Sequence, residues 1–254
     1  MPLRCPARLA RMALVLSCLA GTAAVAQDPA TMPSGPPAGT YHIDPPHGRL
    51  LFSVNHLGFS EYIGLFRTFT ATLAFDPAAP EKMQLEAQID PKSIETLYKD
   101  PTLDFNAVLA GPELLDAAKY PDMTFKSTQV RVTSPSEAAV TGDLTLHGFT
   151  RPVTMHVRYN GGYAGNPLDP GGARIGFSAE GALFRSDFGM TFGIPAPGTM
   201  MGVGDLVSFR IEVEMINPDA PGVQVAMPSR IPIGLRILSE SHPNACFPGS
   251  TDPE

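Results

Sequence analysis

Apolar and polar residues alternate with a period of two through most of the middle of the chain. Met83, Leu85, Ala87 and Ile89 are apolar, while Gln84, Glu86, Gln88 and Asp90 are polar. Val153, Met155, Val157 and Tyr159 alternate in the same way with Thr154, His156 and Arg158. Ile175, Phe177, Ala179 and Leu183 oppose Arg174, Ser178 and Glu180, and Val207, Phe209, Ile211, Val213 and Met215 oppose Ser208, Arg210, Glu212 and Glu214. Successive side chains of a strand point to opposite faces, so these runs predict strands with one apolar face. Residues 49–56, 66–76, 123–133 and 138–146 are further candidates, which makes at least eight strands. In 123–133 the apolar parity switches between Phe125 and Val130, as a β-bulge would cause. Gly148 stands between two alternating runs in residues 145–150 and predicts a hairpin turn. Residues 103–119 have mixed helical spacing, and Gly111-Pro112 divides them into two expected short helical pieces.

Strands of this kind, joined mostly in sequence, predict an all-β antiparallel sandwich or closed barrel. A sandwich fills its centre, whereas a barrel of about eight strands leaves room for one small ligand. Periodicity is the same for both.

The two ends of the chain read differently. Arg4, Arg8 and Arg11 precede a short apolar run from Met12 to Ala20, followed by Ala24-Val25-Ala26. This is a secretory signal expected to be cut before Gln27, because the apolar run falls well short of the roughly 20 residues that span a bilayer. Cleavage removes three Arg, Cys5 and Cys18, leaving Cys246 as the one cysteine, so the mature chain forms no internal disulfide. Residues 27–40 contain four Pro and no apolar period, as in a stiff linker.

Composition narrows the function classes. Hydrophobic residues make up 43% of the chain and charged residues 17%, enough to bury a sizeable core. The net charge of -7, with no basic run, argues against nucleic acid as a partner. The absence of Trp argues against an outer-membrane barrel, which carries aromatic girdles at both interfaces.

Placed on these strands and turns, several short pieces resemble the YceI family. They are Tyr41-His42-Ile43-Asp44, Pro46-His47, Phe52 to Gly58, and Gly64-Leu65-Phe66 with Phe69. Later come Ser93 to Thr96, Tyr120-Pro121 with residues 124–127, Gly142 to Gly148 with Thr150, and Phe184 to Gly189. The resemblance runs over residues 41–216 and divides the chain into a signal (1–26), a linker (27–40), this domain, and a C-terminal extension (217–254). It implies an eight-stranded, lipocalin-like barrel secreted to the periplasm, which holds a polyisoprenoid in its lumen, often dimerises and has no shared catalytic set. Gly48 and Leu114-Leu115 depart from the family pattern, and the extension has no counterpart in it.

Under this reading the inward-facing Phe52, Phe69, Leu73, Phe75, Leu85, Phe125, Phe177 and Phe209 line either a lumen or an ordinary filled core. His56 and His47 have no His-x-His or Cys partner nearby, so hydrogen bonding or contact with a lipid head is expected ahead of metal ligation. Arg185 either braces Asp187 and the backbone or meets a polar or phosphorylated head group at the barrel mouth. The uncharged stretch from Met190 to Gly204 reads as a lid, as a long connection with buried Met, or as a copper(I) site at Met190, Met200 and Met201. Asp100 and Asp104 precede the helical stretch, where carboxylates usually cap. No nucleophile elbow, phosphate loop or metalloprotease helix occurs, so no catalysis is expected. The expected function is a periplasmic binding protein for a long-chain isoprenoid lipid such as a quinone, without cofactor. The alternative is an interaction module serving a membrane redox partner of the cytochrome b561 type.

Overall fold

The computed structural model describes residues 35–165, 169 and 172–220. The expected signal segment, and the extension beyond residue 220, lie outside these residues. Eleven strands are present: β1 (Gly39–Ile43), β2 (Arg49–His56), β3 (Ser60–Phe66), β4 (Phe69–Phe75), β5 (Gln84–Ile89), β6 (Ile94–Glu95), β7 (Met123–Ser134), β8 (Glu137–Leu146), β9 (Phe149–Tyr163), β10 (Ala173–Phe184) and β11 (Val203–Asn217). They form eight staves, because β1 runs on into β2, β3 into β4 and β5 into β6 across short breaks. Two of the breaks are 3-10 turns at Pro45–His47 and Pro91–Ser93. There the prolines supply no N–H for a ladder.

Every neighbouring pair is antiparallel, and the sheet closes on itself. β11 pairs with β10 along one side, and on the other with β2 from Val203 to Glu212 and then with β1 at Met215 and Ile216. The expected barrel is therefore the fold, and the sandwich is excluded. A closed sheet leaves no edge to template aggregation.

The expected strands are all present, and the bulge falls in β7. The ladder steps from Ser127 opposite Gly142 to Gln129 opposite Thr141, and this extra residue returns Val130 to the inner face. The hairpin between β8 and β9 turns on His147 and Gly148, with φ of 51° and 78°, the left-handed pair of a two-residue turn. An added Cβ at Gly148 would lie 2.5 Å from the Tyr120 ring, so this turn is held by packing as well as by dihedral angle.

Three expectations need correction. β1 takes in Gly39 and Thr40, the last two residues of the expected linker, since they pair with Phe75 and Ala74, while residues 27–34 of that linker lie outside the described residues. β3 escapes the alternation rule because Ile63 and Leu65 are apolar on its outer face and Gly64 has no side chain on the inner one. The stretch 103–119 holds one α-helix, α1 (Phe105–Ala110), where two short pieces were expected. Beyond the extended Gly111, the chain makes isolated turns from Pro112 on and passes through a left-handed Asp116 at φ 42°.

A charge cluster fastens the outer face where the closing strands meet. Arg174 Nη1 donates to Asp44 Oδ2 at 2.7 Å and to Glu214 Oε2 at 2.6 Å, and Nε donates to Asp169 at 2.6 Å. The hydrogen bond from Arg174 holds the Asp44 carboxyl below its usual range. Just inside this closure Tyr41 is fully buried and donates to Pro37 O at 2.9 Å, and burial pushes its hydroxyl up to about 12. Arg174 and Asp44 are each 16% exposed, so Arg174→Gln would strand partly buried carboxylates. Urea unfolding at neutral pH should show a loss of about 3 kcal/mol. A carboxylate with a depressed folded pKa stabilises above its unfolded value and loses that stabilisation as pH falls. The difference between variant and parent should therefore shrink as pH drops below 3.8. A difference unchanged in acid would assign the loss to packing instead.

Candidate functional site

The closed sheet turns one apolar residue from every second position inward, and those residues do not meet at the centre. They enclose a cavity of about 1110 Å³ that runs the length of the barrel. Phe52, Phe69, Phe75, Leu85, Phe125, Phe177 and Phe209 all face it, as does Leu73. His56 lies at its rim, and Arg185 borders it beneath the loop joining β10 to β11.

Three of these phenylalanines lie flat against the wall because the position beside each is glycine. A Cβ added at Gly64 would sit 2.4 Å from the Phe52 ring, one at Gly142 2.4 Å from Phe125, and one at Gly181 2.5 Å from Phe209. Gly64 and Gly181 are the direct cross-strand partners of their phenylalanines. Missing side chains thus create the recesses that take up the rings, and the space along the axis stays open.

The ends of the barrel differ. At one end Tyr41, Phe75, Ile175 and Met215 pack together with Ala173 and Leu73 under the Arg174 cluster. The other end is the mouth, bordered by the β2–β3 and β8–β9 turns, by α1 and its flanks, and by the β10–β11 loop. There Phe105 contacts the rings of Tyr62 and Tyr98, and His56 contacts Tyr62. Among the cavity-lining polar groups are His56, Tyr62 and Tyr98 at the mouth and Tyr159 deeper in, where burial raises the phenol's pKa and keeps it neutral.

Arg185 is 5% exposed, and its guanidinium is engaged on the loop. Nε donates to Gly204 O (2.9 Å), Nη1 to Met190 O (3.3 Å) and Phe192 O (2.7 Å), and Nη2 to Val203 O (2.7 Å). Asp205 lies close enough to offset the charge and accepts from Ser186 N and Oγ at 2.8 and 2.7 Å. These bonds give the bracing alternative its geometry, though to the loop backbone rather than to Asp187. Burial lowers the guanidinium's pKa. The three loop methionines do not share one environment: Met190 is buried in the core, whereas Met200 and Met201 are 62% and 73% exposed.

Asp104 caps α1 through Ala107 N (3.0 Å), and Asp100 accepts from the Thr102 backbone and hydroxyl at 2.9 and 2.7 Å. Asp104 thus caps as expected, whereas Asp100 closes a turn ahead of the helix. His47 Nδ1 lies 2.8 Å from Asp44 Oδ2, and with Glu214 these groups could surround a metal ion. The Arg174 guanidinium already bonds both carboxylates, so a cation is built into that position.

Sequence reasoning missed Leu50, Phe66, Leu115 and Phe192 as lining residues. Leu50 was accessible from its parity with Phe52. Leu115 and Phe192 lie on connections, where no periodicity indicates a facing direction.

A family description, the YceI-like domain, matches residues 41–215. A UPF0312 protein of Pseudomonas savastanoi pv. phaseolicola is 36% identical over 165 residues, 64% of this chain and 80% of that protein. One from Pseudomonas putida is 36% identical over 172 residues, 66% and 83% of the two chains. The solved Campylobacter jejuni YceI protein is 29% identical, covering 64% of this chain and 89% of that one with a TM-score of 0.54. The Burkholderia cenocepacia BcnA structure, at 24% identity, covers 68% and 98% with a TM-score of 0.57 and shares the fold.

The glycine recesses generate a direct test. In Gly64→Ala the new methyl would displace the Phe52 ring toward the axis and narrow the cavity. Uptake of an apolar fluorescent probe should fall several-fold, and Phe52→Leu in the same chain should restore it. Unchanged uptake in Gly64→Ala would show that the ring has another place to go.

Proposed function

The chain belongs to the family of YceI-like domains, and we propose that it is a periplasmic binding protein that holds one long-chain isoprenoid lipid, such as a polyisoprenoid or the tail of a quinone, in its lumen. The observation that carries this reading is the continuous apolar cavity of about 1110 Å³. If each carbon takes roughly the 30 Å³ share of a water-sized group, the space holds on the order of three to four dozen carbons. That exceeds the volume of ordinary drug-sized sites.

The physical chemistry favours a chain of this type. Each buried methylene contributes about 0.8 kcal/mol, so a long tail binds without a polar anchor. Ordering the tail opposes binding, and a polyisoprenoid, whose regular double bonds restrict rotation, has fewer conformers to lose than a saturated chain. The polar head would stay at the mouth near His56, Tyr62 and Tyr98. The described lining of the lumen is predominantly apolar, which supports a binding role over a catalytic one.

Native mass spectrometry of protein purified from the periplasm should reveal one bound lipid, identifiable after extraction. Ala179→Phe adds bulk to the lumen wall without removing a packed group, so lipid binding should weaken at least tenfold while the circular dichroism keeps its β signature. An empty barrel that still retains a cytochrome b561-type membrane protein would overturn the lipid reading and leave an interaction module. Arg185→Ala should weaken phosphorylated and uncharged isoprenoids to the same degree, since the guanidinium holds the loop. Selective loss of the phosphorylated lipid would instead give Arg185 a direct contact with the head group.

A further inference from the structure

The exposed large apolar residues of the described chain gather at the mouth. Phe59, Leu97, Tyr98, Leu103, Val108, Phe192, Met200 and Met201 are each at least 44% exposed and lie on the connections that border it, α1 included, with Phe149 (41%) at the first position of β9; Ile63, 60% exposed, is on the outer face of β3. Phe184 and Leu206, paired across β10 and β11 beside the same loop, continue the patch down the wall. At the opposite end, Val132 is the exposed large apolar residue among those described, and the β4–β5 and β7–β8 connections there read DPAAPEKM and PS.

Three features say what this rim meets. First, it is continuous with the lumen: Tyr98, Val108 and Phe192 are exposed outside and line the cavity within. A lipid leaving the barrel would therefore cross apolar surface throughout. Second, the rim projects from separate loops rather than forming one flat face. Phe59 is 84% exposed at the tip of the β2–β3 turn, and Leu97 is 74% exposed and held at φ 54°, a left-handed conformation that a leucine adopts at a cost. Third, residues 57–59 and 189–204 contain no charge, and on the helical connection Lys99 and Lys119 are outnumbered by Asp100, Asp104, Glu113 and Asp116. Separate apolar tips around an open cavity, with no basic patch, suit insertion into the acyl boundary of a neutral bilayer.

We infer that the mouth rim docks on the surface of a lipid bilayer, with Phe59, Leu97, Phe192 and Met201 inserted, so that the lumen opens directly onto the membrane. The inference rests on the lumen being a lipid site. Attraction is hydrophobic: a chain of net charge -7 gains nothing from anionic lipids.

The absence of Trp makes the test local. Phe59→Trp, Met201→Trp and, as a control at the far end, Val132→Trp are each mixed with phosphatidylcholine vesicles carrying brominated acyl chains. Quenching at both rim positions and not at Val132→Trp is expected. Phe59→Ser and Met201→Ser should each weaken vesicle binding about tenfold. Neither residue faces the lumen, so the lipid content read by native mass spectrometry should not change. No quenching at the rim, or equal quenching at all three positions, would overturn docking. So would rim emission that is already blue-shifted without vesicles, since a second copy or another segment would then cover these residues. Rim quenching with an empty lumen would sink the lipid reading while leaving the docking intact.

Discussion

Closure of the sheet at β11 is the constraint on which everything else rests. That strand bonds β10 from Leu206 to Asn217, and on its other side bonds β2 and then β1. Without this double pairing the inward faces would lie on an open apolar surface and collapse onto one another. With it, the backbone hydrogen bonds hold the wall apart around a space that side chains do not fill. Buried side chains pack at both ends, Tyr41, Phe75, Ile175 and Met215 at one and Ile89, Met123, Leu146, Val153 and Phe188 at the other, with a smaller cluster of Val140, Met155 and Ala179 on the wall between them.

The mouth follows from the same economy of contacts. A connection as long as that between β10 and β11, rich in Gly and Pro, has little periodic structure of its own to fix it. Arg185 supplies an internal scaffold by tying the loop carbonyls of Met190 and Phe192 to those of Val203 and Gly204 at the start of β11, with Asp205 offsetting its charge. Burying a guanidinium is costly, and that cost is offset by charge-assisted bonds to four carbonyls. The loop is thereby ordered beside an opening, and the apolar side chains it carries stay in place facing water.

Much of this was legible along the chain. Alternation revealed the long strands, the parity switch located the β7 bulge, and Gly148 marked its hairpin. The lining phenylalanines followed from parity because a strand has only two faces. What could not be read was anything that depends on which strand lies beside which. Gly64 shelters Phe52 twelve residues away, whereas Gly181 shelters Phe209 across a loop, and neither relation leaves a local trace. Arg185 showed its charge and its place before a loop, but the identity of its partners depended on how that loop folds back. Filled core and open lumen produce the same alternation; the difference is a volume, and volume belongs to the closed sheet.

The breaks within the first three staves bear on how such a wall is joined. They lie side by side, since Arg67 N bonds Ser93 O and Asp90 N bonds Thr68 O across the gap. The pairing register also steps by two residues there, from Leu50 opposite Phe66 to His42 opposite Thr72. Five staves are thus continuous and three are jointed along one line. On that flank the ladders above and below the joint meet out of step, and single backbone bonds stitch the wall where a continuous ladder would otherwise run.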